Sequence, residues 1–267
     1  MASDWNVAVA EVIGALGTPR FPAALVAALR GIVDFDYTVM FAYHGDARPI
    51  DLYDDFPEGK RTVMVDAYQD GPYLLDPLFL ACHRRVEPDL YRLRDLAPDR
   101  FYQGEYFRSY YVQTGLSEEL GFIVSLPGGV MAVISAMRSD RRSGYTAREF
   151  AALRRAHPVV AAAAAKHWHD LHRSFDNRSD EAPAPVLHRN IDHAFQTFGK
   201  PSLTRREREV VEYVLKGHSS EAIGDILSIS AGTVRIHRKN IYSKLGINSQ
   251  GELFSRFIDA LSAEVEA

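Results

Sequence analysis

Between Leu203 and Leu261 the chain is punctuated in a way that only four short, closely spaced helices satisfy. Thr204 and Glu207 form a capping box, in which each side chain meets one of the amide donors that a helix start leaves bare. Behind it Val210, Val211, Val214 and Leu215 recur at helical spacing, and Gly217 supplies the left-handed exit that glycine makes cheaply. Ser219 is placed to cap a second segment with Ala222, Ile223, Ile226 and Leu227 inside. Ser230 is placed to cap a third, predicted from Ala231 to about Lys244 and closed by Gly246. Ser249 with Glu252 opens a fourth that carries Leu253, Phe254, Phe257, Ile258 and Leu261 at helical spacing. The tight turn at Ser228 and Ile229 makes the middle pair a helix-turn-helix, and the third helix becomes the candidate reader of DNA.

Charge within that third helix is segregated. Val234, His237, Ile241 and Leu245 define an inward stripe, whereas Arg235, Arg238, Lys239 and Lys244 lie elsewhere on a helix with no Asp or Glu. A purely basic outer face suits a phosphate-lined major groove. The alternative is an ordinary amphipathic helix with a solvated face; the ordered caps and short turns favour DNA.

These residues carry a family resemblance. Leu203-Thr204-x-Arg206-Glu207-x-Glu209-Val210, Gly217-x-Ser219, Ala222-Ile223, Ile229-Ser230, Thr233-Val234-x-x-His237 and Asn240-Ile241-x-x-Lys244-Leu245-Gly246 resemble the DNA-binding domain of LuxR-type (NarL/FixJ-like) transcription regulators. The resemblance implies that Arg235, Ile236 and Lys239 meet base edges and that Thr233, Asn240 and Ser220 contact or position phosphates. Arg238 and Lys244 add basic contacts, and the last helix supplies a dimer contact. It also implies a homodimer on a double-stranded operator, and it allows RNA polymerase as a further partner. Two positions depart from the pattern: Ser220 replaces the frequent Asn, and Gly224 replaces the usual Ala, at about 1 kcal/mol of helix propensity.

The length of 267 residues accommodates two domains. A net charge of −4 fits a DNA binder only because basic and acidic residues balance nine to nine from Pro201 onward, leaving local segregation to matter. Cys82 is the one cysteine, so a disulfide framework and a cysteine metal site are excluded and a reducing compartment is expected. No apolar run approaches the roughly 20 residues of a membrane span, and the acidic start is unlike a signal peptide. The expectation is a cytoplasmic protein without a membrane partner.

Upstream, residues 1–173 read as a mixed domain. Trp5 to Leu16 and Phe21 to Ile32 have helical periodicity, Tyr37 to Tyr43 is a β-branched and aromatic strand, and a second strand is predicted around Ile50 to Phe56. Lys60 to Gln69, Asp76-Pro77 to about Arg85, and Arg100 to Gln113 read as helices. Leu90 to Leu93 reads as a brief strand, and Pro127-Gly128-Gly129 turns a hairpin between Phe122–Leu126 and Val130–Met137. Thr146 with Glu149 caps a long alanine-rich helix that Pro158 is expected to kink or interrupt. The sum is an α+β sensor of PAS- or GAF-like outline: a five-stranded antiparallel sheet flanked by helices, ahead of an all-α four-helix unit at 200–267. Polar, proline-containing residues from Ser174 to Pro185 read as a linker, with a short helix from Ile191 to Phe198, so that 174–199 joins the two.

The absence of lysine between Lys60 and Lys166 argues against a phosphorylation receiver. Tyr73-x-x-Asp76-Pro77 followed by an apolar run resembles instead the acyl-homoserine-lactone-binding domain of quorum-sensing LuxR regulators. The resemblance implies a ligand pocket in which Asp76 accepts from the ligand amide, Tyr91 supplies an aromatic wall and Ser135 a hydroxyl. The family's Trp-x-x-x-Tyr pair corresponds to Met64 and Tyr68. Methionine donates no hydrogen bond, so a lactone carbonyl held there loses about 1–3 kcal/mol. A different small effector, carrying an amide, amine or hydroxyl group, is therefore expected, with no cofactor and no metal.

Plainer readings stand beside these. Asp76 can simply cap the helix after it. Eleven of the thirteen tyrosines precede residue 150, which suits core and interface as well as a pocket, although tyrosine faces beside a carboxylate also hold cations. His167, His169, His172 and Asp170 read as an exposed helix face, and Arg138, Arg141 and Arg142 as a solvated loop. The leading function is a ligand-responsive, DNA-binding regulator. The alternatives are a ligand-free sensor serving as a dimerisation module, a lactone receptor, and an enzyme with an appended DNA-binding domain. The last lacks a Gly-x-Ser-x-Gly elbow, a phosphate loop and a His-Glu-x-x-His signature.

Overall fold

The computed structural model describes residues 5–263 apart from 46, 71, 105–106, 109–114, 182–194 and 196. Helices α1 (Trp5–Gly14) and α2 (Phe21–Ile32) lead into strands β1 (Tyr37–Tyr43) and β2 (Ile50–Asp54). Residues 58–70 are helical but irregular: α3 (Glu58–Arg61) passes into a π-type turn over Thr62–Ala67 and a 3₁₀ turn over Tyr68–Asp70. Next come α4 (Pro77–His83), β3 (Leu90–Arg92), α5 (Leu93–Leu96), β4 (Leu116–Ser125), β5 (Met131–Ser139) and α6 (Ala147–His167). The strands form one antiparallel sheet in the order β2-β1-β5-β4-β3.

Strand alternation assigns the two sheet faces. Met40, Ala42, Leu120, Phe122 and Ile134 share a core with Phe21, Leu25 and Leu29 of α2 and with Leu153, Ala156 and Val160 of α6. Val39, Phe41, Tyr43, Ile123 and Val133 face the other way, under α4 and the irregular segment. Gly121 in β4 makes that second layer close: a β-carbon there would lie 2.5 Å from Leu78 Cδ2 of α4.

Several expectations need correction. Pro158 neither ends nor splits α6, because a single missing amide bond is outweighed by the packing of the inward residues on both sides. Of the predicted Arg100–Gln113 helix, the described residues show a 3₁₀ turn over Phe101–Gln103 and a helical turn at residues 107–108, where the Arg108 amide donates to the Gly104 carbonyl at 3.1 Å; the rest lies outside the described residues. The first part of the predicted linker is helical, α7 (His172–Glu181). Most of the Ile191–Phe198 helix lies outside the described residues. Arg138 belongs to no solvated loop. It is buried, stacks over the Tyr145 ring at 4.0 Å, donates to the Asp34 carbonyl and pairs with Glu149 at 2.7 Å. His167 also faces inward, stacked on Phe21 at 4.1 Å and accepting from the Gly17 amide.

The C-terminal helices are α8 (Arg205–Lys216), α9 (Ser220–Leu227), α10 (Ala231–Leu245) and α11 (Gln250–Ala263). Thr204, Ser219 and Ser230 each accept a helix-start amide, and Gly217 and Gly246 take left-handed exits at φ 93° and 63°. Gly224 is a requirement here and no weakness. A β-carbon there would sit 2.7 Å from the Ile229 carbonyl, so its absence lets the α9–α10 turn close.

Candidate functional site

Two places converge polar groups on open space. The first lies between the sheet and the irregular helical segment, a narrow pocket with about 30 Å³ of free space. Cross-strand register builds its floor: Val39 of β1 stands opposite Ser135 of β5, Phe41 opposite Val133, and Glu119 of β4 opposite Met137. Val63, Met64 and Tyr68 form the roof, with Tyr43, Leu78 and Asp76 at the end where α4 begins.

Asp76 is nearly fully buried and divides its oxygens between two tasks. Oδ1 accepts from the Leu78 amide at 2.8 Å and so caps α4, while Oδ2 accepts from the Tyr68 hydroxyl at 2.7 Å. The capping reading and the pocket reading therefore describe one residue. Burial pushes the Asp76 carboxyl up to about 6, against the hydrogen bonds from Tyr68, Leu78 and Phe79 that favour its ionised form. The Tyr43 hydroxyl stands 3.0 Å from that of Tyr68; burial and then the charge of Asp76 hold it well above the usual phenol range. Burial also pushes the Cys82 thiol up, leaving it a packing residue.

The structure brings together Asp76, Tyr68, Met64 and Ser135. It leaves out Tyr73, a core residue set edge-on to Phe79. It also leaves out Tyr91, whose hydroxyl donates to the Glu87 carbonyl at 2.8 Å away from the pocket. Spacing alone missed Tyr43, Phe41 and above all Glu119. The signal for them lay in the hairpin, since Ser135 pointing inward fixes which residues of the paired strands join it.

The second place is the outer face of α10. Val234, Ile241 and Leu245 are buried, while Arg235, Ile236, Lys239 and Asn240 are exposed, Ile236 at 61%. The Arg235 guanidinium pairs with Glu221 of α9. Thr233 donates its amide to Ser230 Oγ, at the start of the helix. Arg238 reaches the Tyr242 hydroxyl and Gln250 Oε1, both at 3.3 Å. Two other residues of the expected DNA-binding set stand apart from the exposed face. Lys244 pairs with Glu207 at 2.7 Å and clamps α10 to α8. Burial opposes ionisation of Glu207, but bonds from Lys244 and Thr204 outweigh it and hold that carboxyl below the usual range. Ser220 is buried at the α9 start.

The two places are joined by α4. Asp76 caps its first turn in the pocket, and its Leu80 and Ala81, with Arg84 at its end, line a space of about 330 Å³ whose far wall is Tyr213, Lys216, His218 and Ile226. Beside it the Arg100 amide donates to the Gly217 carbonyl, and the Ser219 amide donates to Asp99 Oδ1, both at 3.0 Å. Burial raises the Asp99 carboxyl, but the Ser219 bonds prevail and lower it. Among the described residues no three side chains are grouped to hold a metal ion, and no helix is long and apolar enough to cross a membrane.

Comparison with known proteins bears on both domains. The model of bacterial regulatory proteins of the luxR family (GerE) matches residues 201–257. A protein of Aeromonas salmonicida named as an HTH-type transcriptional regulator in the exeN 3'region is 31% identical over 186 residues, covering 70% of this chain and 94% of that one. The transcriptional regulatory protein UhpA of Escherichia coli is 40% identical over 57 residues, covering 21% of this chain and only 29% of its own. The crystal structure of the VqsR LBD domain from Pseudomonas aeruginosa covers 62% of this chain and 96% of that one with a TM-score of 0.54; at 24% identity it speaks for the fold alone.

Proposed function

This chain belongs to the luxR family of bacterial regulatory proteins, and from that premise we propose that a small molecule held in the Asp76 pocket controls how its α10 helices meet DNA. The family places it among DNA-binding transcriptional regulators, and the relatives compared above are named as regulators of transcription. One observation carries the ligand-responsive reading. Asp76 is at once a pocket carboxylate and the cap of α4, the helix whose other residues line the space against α8 and α9. A ligand that competes for Oδ2 displaces the Tyr68 hydroxyl from the residue whose Oδ1 caps α4, about 12 Å along the helix from Arg84 at 1.5 Å per residue.

Control does not require masking. The exposed face of α10 stays open while the sensor is docked on α8 and α9, so the ligand acts on where two copies of α10 stand. A dimer reads two half-sites at a fixed spacing, and a change of that spacing changes affinity for a given operator. The convergence of Tyr68, Asp76 and Ser135 on one pocket favours a ligand over a sensor that serves only for dimerisation. Met64 speaks against a lactone, because the roof position that would need a donor is a thioether.

Mass spectrometry of small molecules extracted from purified protein, followed by unfolding with the recovered compound, tests the reading. The expected result is an unaltered compound that stabilises the wild type and not Asp76→Ala. Equal stabilisation of both proteins overturns the pocket assignment, and chemical conversion of the compound overturns the regulator reading.

A further inference from the structure

We infer that the cleft between the sensor and the helical unit is a ligand site separate from the Asp76 pocket, and that it takes a small organic carboxylate. The anionic group meets Arg84, Tyr213 and His218, and the apolar body lies on Leu80, Leu96 and Ile226.

The cleft has about 330 Å³ of free space, at the lower end of the roughly 300–1,000 Å³ that small-molecule sites offer. Neither domain builds it alone. Leu80 of α4, Arg84 at the end of that helix and Leu96 of α5 come from the sensor. Tyr213 of α8, His218 just after it and Ile226 of α9 come from the helical unit. Ile226 is 46% exposed, a large apolar side chain left open in the wall.

Donors gather in this cleft without acceptors. Among the described residues the Arg84 guanidinium, the Tyr213 hydroxyl and the His218 ring nitrogens make no hydrogen bond or ion pair. The Tyr213 and His218 rings meet edge-on at 5.4 Å, which holds the two side chains together. No Asp or Glu is among the described residues lining the cleft. The nearby carboxylates are engaged: Glu212 pairs with Lys216 at 2.5 Å, and Asp99 accepts from the Ser219 amide. Burial holds His218 below its ordinary value, and Lys216 and Arg84 press it further down against the pull of Asp99 and Glu212. The ring is therefore neutral at pH 7 and keeps one N–H to donate.

A carboxylate supplies what these groups lack. Guanidinium and carboxylate match as a planar pair joined by two hydrogen bonds, and the hydroxyl and imidazole add donors to the same oxygens. An alcohol brings no charge, and inorganic phosphate brings no apolar body for Leu80, Leu96 and Ile226. Because its contacts come from both domains, a bound carboxylate favours their docked arrangement, as any ligand favours the state that binds it.

The test uses the full chain, with hexanoate and benzoate as probes, hexanol and benzyl alcohol as neutral isosteres, and inorganic phosphate as the bare anion. By calorimetry both carboxylates are expected to bind more tightly than the alcohols and phosphate. Arg84→Gln is expected to weaken carboxylate binding on the order of tenfold, the worth of a hydrogen bond to a charged group. Tyr213→Phe serves as the second variant should Arg84→Gln fail to fold. Asp76→Asn is expected to bind them as the wild type does, and hexanoate is expected to slow hydrogen exchange at the Ser219 amide, which bridges the domains. Alcohols or phosphate that bind as tightly, a folded Arg84→Gln that binds carboxylates unchanged, or no carboxylate binding at all would overturn the inference and leave the Asp76 reading intact. Binding lost in Asp76→Asn and kept in Arg84→Gln would move the site to the pocket. Binding without slower exchange would contradict a site shared between the domains.

Discussion

Replacing Asp76 by Asn isolates what the buried charge does to the sensor. Asparagine keeps an oxygen for the Leu78 amide and a hydrogen-bonding partner for the Tyr68 hydroxyl, so both contacts have a counterpart. What disappears is the titration. Burial raises the Asp76 carboxyl from its ordinary 3.8 to about 6, so the folded protein holds that proton more tightly than the unfolded chain does. The resulting stabilisation is whole below about pH 4 and is lost as pH rises through about 6. At about 1.4 kcal/mol per pH unit, the loss comes to about 3 kcal/mol, constant above roughly pH 7. Urea unfolding from pH 4 to 8 measures it, and tryptophan fluorescence reports the right domain because Trp5 and Trp168 both lie in the sensor. The gap between Asp76→Asn and wild type should widen in favour of the variant by about 3 kcal/mol between pH 4 and 7. Parallel curves would show that the carboxyl is not desolvated, and a gap that narrows would reverse its sign.

Three other substitutions probe different links. Arg235→Ala with Lys239→Ala should leave the circular dichroism unchanged, since both side chains are exposed, and should cost about 1–3 kcal/mol each in operator binding with a shallower salt dependence. Gly224→Ala should lower the stability of the helical unit by about 1–3 kcal/mol, because a β-carbon there meets the Ile229 carbonyl; a gain, as helix propensity alone predicts, would contradict the packing argument. Asp99→Ala should speed hydrogen exchange at the Ser219 amide while leaving sensor unfolding unchanged, and unaltered exchange would remove that bond from the domain contact.

What the sequence made legible was local. Thr204, Ser219 and Ser230 cap because their hydroxyls lie three residues from the amides they accept, and Gly217 and Gly246 exit because their backbones demand it. Asp76 could be singled out for the same reason, since Pro77 and the apolar run behind it announce a helix start. Nothing local reveals that Arg138 reaches back to Asp34, or that Asp99 meets Ser219. Those pairings are made by strand order and domain docking. Glu119 stayed hidden because a charged residue beside Glu118 reads as solvent-facing, whereas the pleat turns one of them to Arg92 and the other to the pocket. Gly224 looked like a weakened helix until the turn after α9 showed what occupies the space. Lys244 looked like part of the basic face, although its partner Glu207 lies on α8.

The central claim is that occupancy of the Asp76 pocket changes how the protein holds DNA. Fluorescence anisotropy with an operator selected from random duplexes measures it directly, comparing the protein with and without the compound recovered from it. The predicted result is a change in operator affinity of tenfold order for the wild type and none for Asp76→Ala. The same affinity with the pocket full and empty would contradict it.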